Sequence, residues 1–286
     1  MATQVLVSAE SQVGSQPMVG AGRGGALETV RRRVELGGLL IDPVDLATAG
    51  ECIYDFARSG RPHQIVTVNL DFISIAERDP QFRKTINAAD LAVADGMPLV
   101  WLSRLRGQPL PERVAGVDLV AESCRIAGDL GAGVFLLGAG PGVAAAAGQQ
   151  LETLYPGLRV VGTYSPAVGA LSCEEDDEIV RRIRKAAPDF LFVALGAPRQ
   201  DLWIGERQAL LQVPVAMGVG CVLDLLAGSV KRAPRWMQHA GLEWAFRLGQ
   251  EPQRLWRRYL VNDLPMLGRL LWDDEPPSAD AFVGIA

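Results

Sequence analysis

Asp95 is the residue of this chain best placed to move a proton. It follows the apolar run Leu91–Ala94 and precedes Gly96, so a carboxylate stands at the carboxyl end of a buried strand. Low dielectric there raises a carboxyl pKa towards that of a useful base. An Asp-Gly pair also reads as a simple turn. Two more segments share the design. Ile65 to Asn69 ends in Thr67-Val68-Asn69, where Thr67 and Asn69 alternate with apolar neighbours and so share one face. They could orient a sugar or hold Asp95, or Asn69 could cap the next helix. Phe190–Leu195 breaks at Gly196 and runs into Pro198, Arg199, Gln200 and Asp201. Gln200, uncharged at a strand end, suits hydrogen bonding to a sugar hydroxyl or a base edge.

Other groups could hold phosphates. Gly138-Ala139-Gly140-Pro141-Gly142 follows Val134–Leu137 and precedes an alanine-rich helix, so its amides and a helix N-terminus could face a pyrophosphate. The third glycine of a dinucleotide fingerprint is replaced by Val143, and no ribose-binding acid follows. A tight structural turn explains the loop equally well. Gly220 and Asp224 lie after the strand Val213–Met217; Asp224 could bind ribose hydroxyls or serve as a helix N-terminal charge. Arg247, Arg254 and Arg257 sit in Glu-Trp-Ala-Phe-Arg and Glu-Pro-Gln-Arg-Leu-Trp-Arg-Arg-Tyr, and Arg254, Arg257 and Arg258 share a helix face by spacing. Guanidinium forks suit diphosphates, although a solvated basic face has the same pattern.

The elements that must position these residues alternate. Helices are expected over Leu46–Ser59, Phe72–Ile86, Gly116–Ala127, the stretch to Leu154, and Glu174–Ala187, interleaved with strands at 65–68, 91–94, 134–137, 158–161, 190–195 and 213–217. Repeated strand–helix units imply an α/β fold: a Rossmann-like, mainly parallel sheet flanked by helices. From Lys231 to about residue 272 the pattern becomes helical only, broken by Pro234, Pro252 and Pro265 and rich in Arg and Trp. This is a C-terminal appendage to a core spanning 34–230. Residues 1–33 read as a disordered tail and 273–286 as an acidic one.

Composition narrows the classes. With 49% apolar residues the chain can fill a globular core, and a net charge of −5 gives no global field for nucleic acid. Cys52, Cys124, Cys173 and Cys221 are far apart, which argues against a metal or disulfide framework. No run approaches the roughly 20 apolar residues of a membrane span. The N-terminus lacks a charged segment followed by an apolar core, so a signal peptide is not expected.

The order Thr-x-Asn, Ala-Asp-Gly, Glu-Arg-Val-x-Gly, Leu-Gly-x-Pro-x-Gln and the Arg/Trp-rich segment resembles the WecG/TagA/CpsF glycosyltransferases over roughly residues 38–268. The resemblance implies an inverting transfer from a UDP-sugar to a polyprenyl-diphosphate-linked sugar in cell-surface polysaccharide or teichoic-acid synthesis. Asp95 would be the base, with Thr67 and Asn69 near the reacting sugar. Gly138, Gly140, Gln200, Gly220, Asp224, Arg247, Arg254 and Arg257 would bind substrate or nucleotide. No Asp-x-Asp occurs, so no metal and no cofactor are expected, and arginines would neutralise the departing UDP. The family usually has Glu where this chain has Asp201, and an aromatic residue where it has Ala170. A cytoplasmic protein is expected, peripheral to the inner membrane face through the appendage and self-associating. Two rivals stand beside this reading: a Rossmann-type NAD(P) oxidoreductase, and a non-catalytic membrane-docking partner.

Overall fold

The computed structural model of the chain describes residues 33–166, 171–239 and 241–272, without the side chains of His239 and Arg254. The two expected tails, apart from Arg33, and the position of Ala170 lie outside these residues. Arg33 is anchored rather than loose. Its Nε donates to Asp42 Oδ1 at 3.1 Å and its two terminal nitrogens reach the carbonyls of Asn87 and Ala89. All three guanidinium nitrogens find partners that a tail would leave in water.

A short antiparallel hairpin, β1 (Val34–Leu36) and β2 (Leu39–Ile41), opens the fold and was not foreseen. Then come α1 (Leu46–Arg58), β3 (His63–Val68), α2 (Leu70–Arg78), α3 (Pro80–Asn87) and β4 (Leu91–Ala94). Where one helix was expected over 72–86, the chain breaks at Asp79. Proline disfavours helical backbone in the residue before it, and the Asp79 carboxylate caps α3 by accepting from Gln81 and Phe82 amides at 3.0 Å. Next follow α4 (Met97–Leu105), α5 (Gly116–Leu130), β5 (Gly133–Gly138), α6 (Val143–Leu154) and β6 (Arg159–Tyr164). The core ends with α7 (Cys173–Ala186), β7 (Phe190–Ala194), α8 (Arg199–Leu211), β8 (Val215–Gly218) and α9 (Val222–Leu226).

β3 to β8 form one six-stranded sheet in the order β4-β3-β8-β7-β5-β6, with every pairing parallel. Such strands need both faces covered, and alternating side chains do this. Phe190 and Phe192 enter one apolar cluster with α1, α5 and α6, while Leu191 and Val193 enter another with α7 and α8. The chain leaves β5 towards β6 and β7 towards β8, in opposite directions. The crevice between those two strand ends is a topological switch point, a usual ligand position.

The appendage continues as α10 (Arg235–His239), α11 (Glu243–Gln250), α12 (Pro252–Trp256), a π-helical stretch over Arg257–Asp263, and α13 (Leu264–Trp272). Pro252 opens α12, as a missing N–H allows. Pro265 does not break the run. It is the second residue of α13, where the wide π turn lets the Leu264 amide reach the Tyr259 carbonyl and the helix proceeds. Met266 and Leu270 of α13 plug into the apolar cluster built by β3, β4, α2 and α4. Among the described residues no helix is long and apolar enough to cross a membrane.

Candidate active site

The site lies where the appendage meets the ends of β3 and β4. The Asp95 amide donates to the Val68 carbonyl at 2.7 Å, and the Val114 amide donates to the Ala94 carbonyl at 2.9 Å. The first bond fixes Asp95 at the sheet edge. The second draws the loop carrying Arg113 alongside it. α5 begins at Gly116, where an added Cβ would lie 3.4 Å from Asp95 Oδ2 and 3.6 Å from Thr67 Oγ1. Asp95 and Thr67 therefore converge on one point at the start of a 15-residue helix.

A cavity of about 370 Å³ opens above Asp95. Asp95 and Asn69 are on its core side, and Arg113, Glu243, Arg247 and Arg258 supply charge around it. Its lip is apolar: Trp101 from α4 and Leu260 and Leu264 from the appendage line it and are exposed. Burial pushes the Asp95 carboxyl up; Arg113 opposes this, Glu243 reinforces it, and the Gly116 N–H and Arg247 pull it back down. A carboxylate in that setting is a stronger base than one in water.

The expected site residues divide into two groups. Asp95, Asn69 and Arg247 line the cavity, and Thr67 is buried beneath it. Asn69 also caps α2, its Oδ1 accepting from the Phe72 amide at 3.2 Å. Gly138, Gly140, Gln200, Gly220 and Asp224 sit instead on the strand ends further along the sheet. There Gly138 has φ +104°, and a Cβ on it would lie 2.4 Å from the Ala194 carbonyl oxygen. Close approach of β5 to β7 thus accounts for this glycine. Ser165 Oγ donates to the Gly138 and Gly140 carbonyls at 3.0 and 3.3 Å. Gln200 is buried, and its Oε1 accepts from the Gly196 and Gly220 amides, both at 3.2 Å. It ties the loops after β7 and β8 together. Asp224 is in the first turn of the short α9.

Arg257 is exposed and lies over the Trp256 ring, 5.4 Å from its centroid, whereas its neighbour Arg258 faces the cavity. The Arg254 side chain lies outside the described residues. Arg247 contacts Cys221 Sγ after β8, which links the cavity to the second group of loops. Sequence reasoning missed Arg113, Glu243, Arg258 and Tyr259 as cavity residues. Glu112-Arg113-Val114 was visible as part of a motif, and Glu243 precedes Arg247 by one helical turn. Among the described residues no group of three or more His, Cys, Asp or Glu side chains is arranged to hold a metal ion.

A parallel α/β sheet whose strand ends hold a buried carboxylate in a cavity lined by arginines and apolar side chains is a setting suited to group transfer on anionic substrates. The comparisons with known proteins name the family. The model of the "Glycosyl transferase WecG/TagA/CpsF family" matches residues 34–278, and the chain belongs to that family. It is a glycosyltransferase. Similar curated proteins include the N-acetylglucosaminyldiphosphoundecaprenol N-acetyl-beta-D-mannosaminyltransferase of Bacillus spizizenii, 35% identical over 68% of this chain and 74% of the relative. Proteins of the same name from Bacillus subtilis (33% identical, 68% and 74% covered) and Staphylococcus aureus (36%, 64% and 70%) also match. Neither the oxidoreductase nor the purely docking alternative finds support here.

Proposed function

We propose that this glycosyltransferase moves N-acetylmannosamine from its UDP derivative to N-acetylglucosamine on a polyprenyl diphosphate, with inversion and without a metal ion. The names of the relatives support the donor and acceptor. Asp95 at the base of the cavity is the observation that carries the mechanism. Its carboxylate takes the proton from the acceptor hydroxyl as that oxygen bonds to the anomeric carbon. The bond from that carbon to the diphosphate breaks on the opposite face, and UDP departs. Arg113, Arg247 and Arg258 around the cavity support arginine stabilisation of that leaving group. The nucleotide lies across the loops after β5, β7 and β8, where the switch-point crevice supports it. The apolar lip suits the first isoprene units of the acceptor.

The appendage supports peripheral membrane attachment. Trp236, Leu264 and Trp272 are 65%, 60% and 88% exposed, and Trp101 and Leu105 of α4 are exposed on the core. Aromatic residues among arginines suit a lipid headgroup layer. The same surface would serve self-association away from the membrane. The test is UDP release from UDP-N-acetylmannosamine with a short polyprenyl-diphosphate N-acetylglucosamine in detergent and EDTA. Asp95→Asn should lower kcat by about 10²- to 10⁴-fold, the usual share of a general base. Turnover within about threefold of wild type would remove Asp95 from the mechanism.

A further inference from the structure

The cavity wall holds a carboxylate to which glycosyl transfer, as described, assigns nothing. Glu243, the first residue of α11, reaches from the appendage to the core. Its Oε2 accepts a hydrogen bond from Arg113 Nη1 at 3.0 Å, and its Oε1 lies 3.6 Å from Arg232 Nε. Arg232 forks onto both oxygens of Asp118, at 2.7 and 2.8 Å. The side chains of Arg232, Arg113 and Glu243 are only 6%, 16% and 17% exposed, so water screens this chain of charges weakly. Asp118–Arg232–Glu243–Arg113 therefore joins α5, the start of the appendage, α11 and the loop before α5.

Arg113 has two carboxylates within its influence, Glu243 and Asp95. A guanidinium that closes onto a base carboxylate occupies its lone pairs and weakens it as a proton acceptor. The groups facing Asp95 are Arg113 from its loop, the Gly116 N–H from α5, and Glu243 and Arg247 from α11, with Arg232 further out. Glu243 is the one carboxylate among them. We propose that Glu243 is a positioning residue for glycosyl transfer: it holds Arg113 on the cavity wall and off Asp95, and does so when the appendage is docked. The base and the closed cavity then form together, which restrains activation before the acceptor is enclosed. This inference rests on Asp95 acting as the base.

The signs follow from the charges. Removing the Glu243 charge takes away a negative neighbour of Asp95 and frees Arg113 to pair with it, so Asp95 becomes a weaker base. A base must be deprotonated to act, so the acid limb of the pH profile moves to lower pH while the plateau falls. The experiment measures kcat and KM from about pH 5 to about pH 9 on the full chain, with the donor, acceptor and detergent above. Glu243→Gln should lower kcat about 10- to 100-fold, the worth of one charge-assisted hydrogen bond, and move the acid limb to lower pH. The donor KM should change less than about threefold. Glu243→Asp, which keeps the charge, should restore the position of the acid limb and part of kcat. An acid limb unmoved in a Glu243→Gln enzyme that melts like wild type overturns the inference, whether or not kcat falls. Asp95→Asn run in parallel separates the two claims. An inactive Asp95→Asn with an unmoved Glu243→Gln limb overturns the positioning role alone. A fully active Asp95→Asn overturns the base, and the inference with it.

Discussion

The core sheet and the appendage are held by different forces. Every residue of β3, β4, β5 and β8 is buried, and their side chains fill continuous apolar clusters on both faces. α11, which carries Glu243 and Arg247, buries no residue. The appendage is fastened by an apolar plug, Met266 and Leu270, and by arginine–carboxylate pairs: Arg113–Glu243, Arg232–Asp118, Arg258–Asp71 and Arg269–Glu77. Apolar burial responds little to salt, whereas partly exposed ion pairs weaken with it. The cavity that holds Asp95 sits at the seam of the two. A rigid sheet fixes Asp95 and Thr67, and a more loosely held segment brings the cationic wall that completes the cavity.

Substitutions on either side of the seam can break this comparison. The largest effect belongs to the core. Phe192→Ala should cost about 3–5 kcal/mol by opening a cavity between β7 and the helices around it, read as a global loss in urea unfolding. A cost below about 1 kcal/mol would mean that the sheet is not the stabilising unit. Next comes the latch. Arg232→Ala strands Asp118 and loosens Glu243, costing about 2–4 kcal/mol, and raised hydrogen exchange should be confined to residues 231–272 and their contacts. Exchange rising equally in β5 and β8 would show that core and appendage unfold as one. Added salt should reproduce a weaker form of the same pattern in the wild-type chain.

The smallest effect has the opposite sign. Asp201 is fully buried at the start of α8, and burial pushes its pKa up to about 7 against the weaker pull of the Gln200 side chain and its own backbone N–H. An unfolded aspartate titrates near 3.9. Between these values the folded chain keeps a proton that the unfolded chain has lost, so stability falls as pH rises from about 4 to about 7 and is level above. Asp201→Asn should remove that slope and stabilise the protein by about 1–3 kcal/mol at pH 8, measured by urea unfolding at several pH values. No gain at pH 8 would show that the carboxylate is solvated or paired in solution. A carboxylate this costly to the core lies beside Gln200, which binds the loops after β7 and β8, and Gly218 is what makes room for both. An added Cβ there would meet Gln200 Nε2 at 2.4 Å and Asp201 Oδ1 at 2.7 Å.

Much of the core was legible because buried parallel strands leave unbroken apolar runs. Leu91–Ala94 has the expected bounds, β3 and β7 differ from expectation by one or two residues at one end, and β5 by one residue at each end. The hairpin Val34–Ile41 escaped notice because three-residue strands carry too few positions for a period to show. α4 escaped because Met97–Leu105 is apolar on several sides, with Trp101 and Leu105 exposed and Leu99 and Leu102 buried. Of the residues in and beneath the cavity, Asp95, Thr67 and Asn69 stood out by lying at strand ends. Arg113 and Glu243 did not, since charged residues on a loop and a surface helix look alike whether they face water or a cavity.

Local order along the chain determined the class of fold, the sheet edge where chemistry could occur, and the carboxylate at that edge. Periodicity and strand ends are properties of neighbouring residues, so a linear text preserves them. Tertiary structure alone decided that Gln200 braces two loops, that Arg258 rather than Arg257 faces the cavity, and that Glu243 meets Arg113 across 130 residues of sequence. Those outcomes depend on where separate elements come to rest. Burial and charge pairing at that meeting point are set by distances in space, which spacing along the chain does not encode.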